Sequence, residues 1–312
     1  MANANVRVLE VAFWLCTLLP FVLAPNYLSL ASQIAITALF ALSLDLILGY
    51  AGIVSLGHAA FFGVGAYAAG LVAKHYWTEP LTGLLIAATF SGILGYGLSY
   101  IVVRFRHLAL IMLTMGLGLL LHEAANSASA LTGGADGLQG FRVPSVLGFG
   151  FDLYGRTAYV YALAVLFLCF LVARRIIHSP FGLALRGIRE NATRMPAVGA
   201  PSRAHLRKVY TIAAVMAGIA GAVLTHTTST VSLETLSFGR SADVLVILIL
   251  GGADRLYGGI LGAIIYMVAR DQFSGINPQY WYFWIGLLLV AVVMFLPNGI
   301  LGGLSKFFRR KA

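Results

Sequence analysis

Seven ionisable side chains stand inside or at the ends of long apolar runs: Asp45, His58, His122, Glu123, His226, Asp243 and Asp254. A charge in a hydrocarbon setting is costly enough that each such group needs a partner or a task. Carboxylates and imidazoles of this kind could relay protons through a carrier. They could equally make helix-terminal hydrogen bonds or extend to the interface, which suffices for those near the end of a run. His58, preceded by Gly57 and followed by a Gly/Ala/Phe-rich run, fits that second reading least well, and Asp254-Arg255 reads as a pair or a solvated dipeptide at a turn. Nothing points to catalysis. No Ser/His/Asp arrangement, metal-ligand spacing or CxxC pair is present, and no Walker motif that would let the chain hydrolyse ATP itself. Cys16 and Cys169 lie in apolar runs and read as small hydrophobes. Neither a cofactor nor a metal is expected, and the chain is not expected to be an enzyme.

The elements that carry these residues follow from composition. Of 312 residues, 60% are hydrophobic and 10% charged, against roughly 25% charged in soluble domains. Mean hydropathy is +0.89. A soluble fold could not cover so much apolar surface, so the lipid bilayer is the expected solvent. The net charge of +10 is clustered: residues 174–208 hold eight of the 21 Lys and Arg, four more lie at 306–311, and Arg104 and Arg106 form a pair. Each cluster abuts an apolar run, as in cytoplasmic loops. Nucleic-acid binding, which needs a folded basic face, is excluded.

A helical span needs about 20 apolar residues. Candidates are 8–24, 28–48, 54–75, 81–103, 108–125, 157–173, 209–228 and 281–297. The first reads as a retained helix, because Ala24-Pro25 is a poor cleavage junction. Placing Arg104–Arg106, 174–208 and the tail on one side requires the stretch 241–271 to add zero or two crossings. Gly251-Gly252-Ala253-Asp254-Arg255 interrupts it. The expected fold is all-α, a polytopic transmembrane helical bundle of about 8 clear spans plus a broken helical hairpin at 241–271. Both termini are expected to be cytoplasmic, with 126–156 and 229–240 among the outer connections.

The loop 174–208 holds one amphipathic helix. Pro180 can open it, Phe181, Ala184, Leu185, Ile188 and Ala192 share a face, and Pro196 ends it. That face could dock in a partner protein or lie on an anionic leaflet. Small residues four apart (Gly65/Ala69, Ala66/Gly70, Ala217/Gly221, Gly218/Ala222 and Gly258/Gly262) mark close helix contacts. Interrupted helical pattern combines with small residues at 49–66 and 241–263. Broken helices expose backbone groups that need a polar cavity or protein cover, so a translocation path is expected there, along Gly52, Ser55, Gly57, His58, Ser241, Gly251 and Gly252.

Several segments, in order along the chain, resemble one family. They are Leu44-Asp45-Leu46-Ile47-Leu48-Gly49-Tyr50-Ala51-Gly52 with Ser55-Leu56-Gly57-His58-Ala59-Ala60-Phe61-Phe62-Gly63; Leu131-Thr132-Gly133-Gly134-Ala135-Asp136-Gly137-Leu138; Ser179-Pro180-Phe181-Gly182-Leu183-Ala184-Leu185-Arg186 with Arg189-Glu190-Asn191; Ala217 to Ala222; Gly258 to Ala263; and Phe295-Leu296-Pro297-Asn298-Gly299-Ile300. Taken together they resemble the permeases of branched-chain amino acid ABC importers (LivM-like, the hydrophobic amino acid uptake group). The resemblance implies that 1–312 is a single transmembrane permease domain in the bacterial inner membrane, translocating branched-chain amino acids. It implies a periplasmic substrate-binding protein, a second homologous permease subunit (LivH-like) and two cytoplasmic ATPase subunits. The loop 174–208 becomes a cytoplasmic coupling loop, with Pro180, Phe181, Gly182, Leu185, Arg186, Arg189, Glu190 and Asn191 as coupling residues. Related systems carry urea, short amides or aromatic acids. An ion-coupled secondary transporter using Asp45, His58 or Asp243 is the competing class, and a non-transporting scaffold a third.

The charge pattern makes a direct prediction. Topology reporters fused at Ala312 and after Pro144 should report opposite sides of the membrane, and a common side would overturn the span parity.

Overall fold

The structure is a computed structural model that describes residues 10, 13–23, 25–76, 79–141, 143–146, 148–152, 155–296 and 299–303. The tail cluster at 306–311 and the start of the first expected span lie outside these residues. Ten helices carry the architecture: α1 (Leu28–Asp45, continued by a wide π turn Leu46–Tyr50), α2 (Ala59–His75), α3 (Pro80–Val102), α4 (His107–Ser127), α5 (Arg156–Ile177), α6 (Pro180–Asn191), α7 (Ser202–Thr228), α8 (Phe238–Gly251), α9 (Leu256–Ile276) and α10 (Trp281–Phe295). An N-terminal helical stretch precedes them. Outside the helices, the described residues hold isolated β-bridges at Leu138–Val231 and Val146–Phe149. The all-α polytopic bundle is as expected.

α1 is the hub, packed against α5, α7, α8 and α9. It is apolar all round, as a helix buried on every side must be, and 78% of its most apolar stretch is buried, against 17% for α4. α2, α3 and α7 form the tightest cluster, and small residues permit it. A Cβ on Gly65 would strike the Gly218 backbone, one on Gly218 would strike Ser91, and one on Gly221 would strike the Phe62 carbonyl. In lipid, where apolar burial gives helices no drive to associate, such contacts are the principal source of cohesion. The expected Gly258/Gly262 stripe is likewise in contact, against Gly252 and Ile247 across the hairpin.

Six helices are long and apolar enough to span, or up to seven if the bent pair Phe238–Gly251 and Leu256–Ile276 is one span. The sequence predicts about eight besides the hairpin, and two regions explain the difference. The first, 8–24, falls partly outside the described residues. The second, 54–75, contains a helix of only 17 residues, because 51–58, which climbs from the turn at Gly52 to α2, is irregular.

Contacts show which ends lie together. At the end bearing Arg104, Arg106 and α6 (the basic face), the end of α1, the hairpin tip and the 299–301 segment meet. The Arg189 guanidinium donates to the Gly49 carbonyl, the Asp254 N–H donates to Asp45 Oδ1 at 2.9 Å, and Arg255 donates to the Leu301 carbonyl at 2.8 Å. The tip of the hairpin, bent by 112°, therefore reaches the basic face. Asp254 forms an ion pair with Arg189, and its side chain stays partly exposed at the turn.

Two of the crossings are only half helical. His58 meets Ser43 and Phe40 of α1, which lie seven and ten residues before Tyr50. At about 1.5 Å per residue that is about 10–15 Å above the basic end, near the middle of a core about 30 Å thick. α2 thus starts at mid-depth. Ser241, ten residues before the end of α8, accepts the Ala59 N–H at 3.0 Å, so α8 also starts near mid-depth, and 229–237 descends to it from the opposite face.

The crowded glycines give a stability prediction. Gly221→Leu should cost about 1–3 kcal/mol or more through overpacking, lowering the melting temperature of the detergent-solubilised chain. Gly116→Ala, with nothing within 4 Å of its Cβ position, should leave it unchanged.

Candidate translocation and coupling site

The functional residues expected from the sequence gather at two levels. The lower is the junction at the basic face. The Ser179 hydroxyl caps α6 by accepting the Gly182 N–H at 3.4 Å, and Pro180 opens its first turn. The helix seats Gly182, Leu185 and Ile188 in its own chain, and Phe181 stacks on His205 with ring centroids 5.5 Å apart. Of the apolar face that sequence reasoning offered to a partner or to the leaflet, Leu185 and Ile188 are buried in this chain, and Phe181, Ala184 and Ala192 are half-buried. What α6 leaves outward is Leu183, 72% exposed, with Arg186, Glu190 and Asn191.

From α6, two arginines reach back to the broken segments. Arg186 sits over the Tyr50 ring at 5.2 Å. Arg189 donates to the Gly49 carbonyl, forms an ion pair with Asp254 at 3.1 Å, and covers Gly52. The wide π turn leaves the Gly49 carbonyl free to accept. Gly52 has φ +72°, a left-handed conformation that glycine tolerates without strain, and it turns the chain from α1 into the irregular climb. One cation thus joins the end of α1, the turn after it and the hairpin tip. Beside it opens a cavity of ≈ 560 Å³ lined by Gly52, Val54, Arg104, Arg106, Arg189 and Asn191, among others.

The upper level is the mid-depth knot. His58 is fully buried, its Nε2 2.8 Å from the Ser43 hydroxyl, its ring stacked on Phe40 and edge-on to Phe61. Thr114 accepts the Leu56 N–H at 3.2 Å. Gly57 lies so close to the Thr114 carbonyl that a Cβ would collide with it. Ser55 and Ser241 are also buried. Gly251 and Gly252 are packed at the hairpin tip against Gly258 and Gly299. Of the seven expected path residues, Gly52 alone lines one of the cavities described here; the other six are closed within the protein.

Three more of the ionisable groups have partners. Asp243 accepts from the Tyr266 hydroxyl at 2.8 Å, His226 Nδ1 lies 2.9 Å from the Tyr161 hydroxyl, and Glu123 accepts from Asn126 and Ser127 at 3.4 Å. Among the described residues, no cluster of three or more His, Cys, Asp and Glu could hold a metal ion. Sequence reasoning missed Arg189 as a link between the broken segments, and Ser43 and Thr114 as supports of the irregular climb. Lone hydroxyls inside helices carry no pattern that announces such a role.

Comparison with known proteins bears on this arrangement. Residues 26–293 match the family model described as branched-chain amino acid transport system / permease component. The chain is 28% identical over 309 residues to the high-affinity branched-chain amino acid transport system permease protein LivM of Escherichia coli, covering 90% of this chain and 71% of that protein. It is 29% identical to the LivM of Salmonella typhimurium over the same shares. A probable branched-chain amino acid transport permease protein LivM of Methanocaldococcus jannaschii is 25% identical, over 83% of this chain and 88% of that one. No solved structure matches the chain.

The junction makes a geometric prediction. A Cβ on Gly52 would lie 3.6 Å from that of Arg189, within the roughly 3.5–4.5 Å that a disulfide requires. In a background lacking Cys16 and Cys169, the pair Gly52→Cys and Arg189→Cys should cross-link on mild oxidation, read as protection of both thiols from a maleimide. A Gly116→Cys and Arg189→Cys pair should not.

Proposed function

We propose that this chain, which belongs to the family of permease components of branched-chain amino acid transport systems, forms part of the membrane path of an ATP-driven importer and is driven through α6. Its basic face is then cytoplasmic, following the charge asymmetry of its loops. The observation that carries the reading is the junction made by Arg189. An exposed helix between two spans is tied by one side chain to both interrupted segments of the bundle. A push on α6 from cytoplasmic ATPases would reach the turn at Gly52 and the hairpin tip without passing through flexible chain.

The mid-depth knot supports the same reading. It closes the region where the irregular climb, α2 and α8 meet, and opening it would require moving 51–58, the segment that Arg189 holds at its lower end. Alternating access needs such an element with two arrangements. A periplasmic binding protein would deliver selected branched-chain amino acids, and a second, homologous permease subunit would complete the path. Permeases for urea, short amides or aromatic acids would use the same machinery with a different delivery protein.

The surface of α6 separates coupling from folding. In proteoliposomes containing the assembled transporter, Leu183→Asp and Arg186→Glu should lower substrate-stimulated ATP hydrolysis about tenfold or more while membrane insertion stays normal. Leu185→Asp should instead abolish accumulation of the chain, because Leu185 is buried within it. Unchanged ATPase stimulation in the Leu183 and Arg186 variants would remove α6 as the coupling element.

A further inference from the structure

A second cavity, of ≈ 300 Å³, opens at the face opposite the basic one. Its walls come from the outer ends of α1 and α7 (Leu30, Gln33, Leu224), the descending segment (Ser232, Glu234, Thr235), the first turn of α8 (Arg240) and the outer half of α9 (Met267, Arg270, Asp271, Ser274). It is small, at the low end of ligand pockets, and its lining combines both signs of charge with an apolar wall. No residue of it is among those expected to form the path.

Arg240 is the feature that calls for an explanation. It stands in the first turn of a half-helix that begins near mid-depth, where the helix dipole already presents positive charge. Its own N–H is accepted by the Ser237 hydroxyl at 3.2 Å, and its guanidinium lies over the Phe62 ring at 5.5 Å. Among the described residues the guanidinium has no carboxylate within 4 Å. The nearby Asp243 is engaged by Tyr266, and Arg270 lies over Trp281 at 5.0 Å. Asp243 and Glu234 attract the Arg240 charge from beyond ion-pair distance, and a guanidinium without direct carboxylate contact, at a helix N-terminus on a cavity wall, can accept an anion. Glu234 and Asp271 sit on the same wall and are likewise without a basic partner within 4 Å among the described residues. They supply what an ammonium group needs.

We infer that this cavity is an acceptor site for a zwitterionic amino acid, with the carboxylate held by Arg240 and the N-terminus of α8 and the ammonium held by Glu234 or Asp271. The side chain of the solute would lie against Leu30, Leu224 and Met267, whose apolar surface suits an aliphatic group. This inference rests on the importer reading above and gives it a place where substrate first meets the permease. Discontinuous helices whose N-termini face the membrane interior are suited to anionic substrate groups. Here Arg240, in the first turn of such a helix, stands on the cavity wall.

The test uses equilibrium binding of radiolabelled L-leucine to the full chain in lipid nanodiscs, with no binding protein present. Binding should be saturable. Leucinamide, which lacks the carboxylate, and 4-methylpentanoate, which lacks the ammonium, should each compete at least tenfold more weakly than leucine. Arg240→Gln should weaken binding at least tenfold. Glu234→Gln, at an exposed position that does not risk the fold, should weaken it severalfold. Absence of leucine binding, equal competition by either analogue, or binding indifferent to both substitutions would overturn the acceptor site. Uptake of L-leucine by cells that depend on this chain judges the importer reading separately. Uptake that survives Arg240→Gln while the nanodiscs bind nothing sinks the site alone, and absence of chain-dependent uptake sinks both.

Discussion

The structure depends on one constraint, that a backbone amide or carbonyl in the hydrocarbon core must find its partner inside the protein. α-Helices satisfy this locally, but the irregular segments 51–58 and 229–237, the second holding one 3-10 turn at Leu233–Leu236, satisfy it only in part. Their amides are met one at a time from neighbouring elements. The Ile53 N–H donates back to the Ile47 carbonyl at 2.8 Å; Leu56 and Ala59 donate to hydroxyls of Thr114 and Ser241; Val231 exchanges both bonds with Leu138. The helices around these segments are placed where those bonds can form. α4 touches the climb through Thr114, and α8 starts where Ser241 can cap α2. Breaking a helix in a bilayer therefore commits its neighbours to fixed positions.

Close packing supplies the rest. Where a hydroxyl must reach a backbone amide, the backbones themselves have to approach, and glycine makes the approach possible. Gly57 against Thr114, Gly49 beside Asp45 and Gly251 against Gly258 leave no room for a Cβ. The glycines of this chain do more than ease helix contact. They let the irregular segments come near enough to be satisfied. Arg189 does at the membrane border what the hydroxyls do within it, filling the carbonyl at Gly49 and the carboxylate at Asp254 with one group.

Much of this was legible in the sequence. Hydropathy and basic clusters pointed to the class and to the positions of most spans. Gly251-Gly252 marked the hairpin, and the residue pairs four apart marked contacts that form. The missed features have physical reasons. Residues 54–75 read as one apolar span because Ile53, Val54 and Leu56 are as hydrophobic in an irregular segment as in a helix. The apolar face of α6 suggested an external partner because a helical wheel records amphipathicity without recording who covers it. The polar cavity under 229–240 was invisible, since Glu234, Arg240, Arg270 and Asp271 converge only once two half-crossings and α9 are placed in space.

The hub position of α1 has a consequence for how the chain is made. α1 is synthesised early, yet the elements that enclose it, α5, α7, α8 and α9, leave the ribosome more than a hundred residues later. During that interval the Asp45 carboxylate lacks the amide of Asp254, and the Ala59 N–H at the start of α2 lacks the Ser241 hydroxyl that accepts it. The early half of the bundle must therefore wait in lipid, held by α2 and α3, for its own interior to arrive. A chain truncated before Arg156 carries its most buried helix without any of these four neighbours, and a membrane quality-control protease would meet it as unassembled.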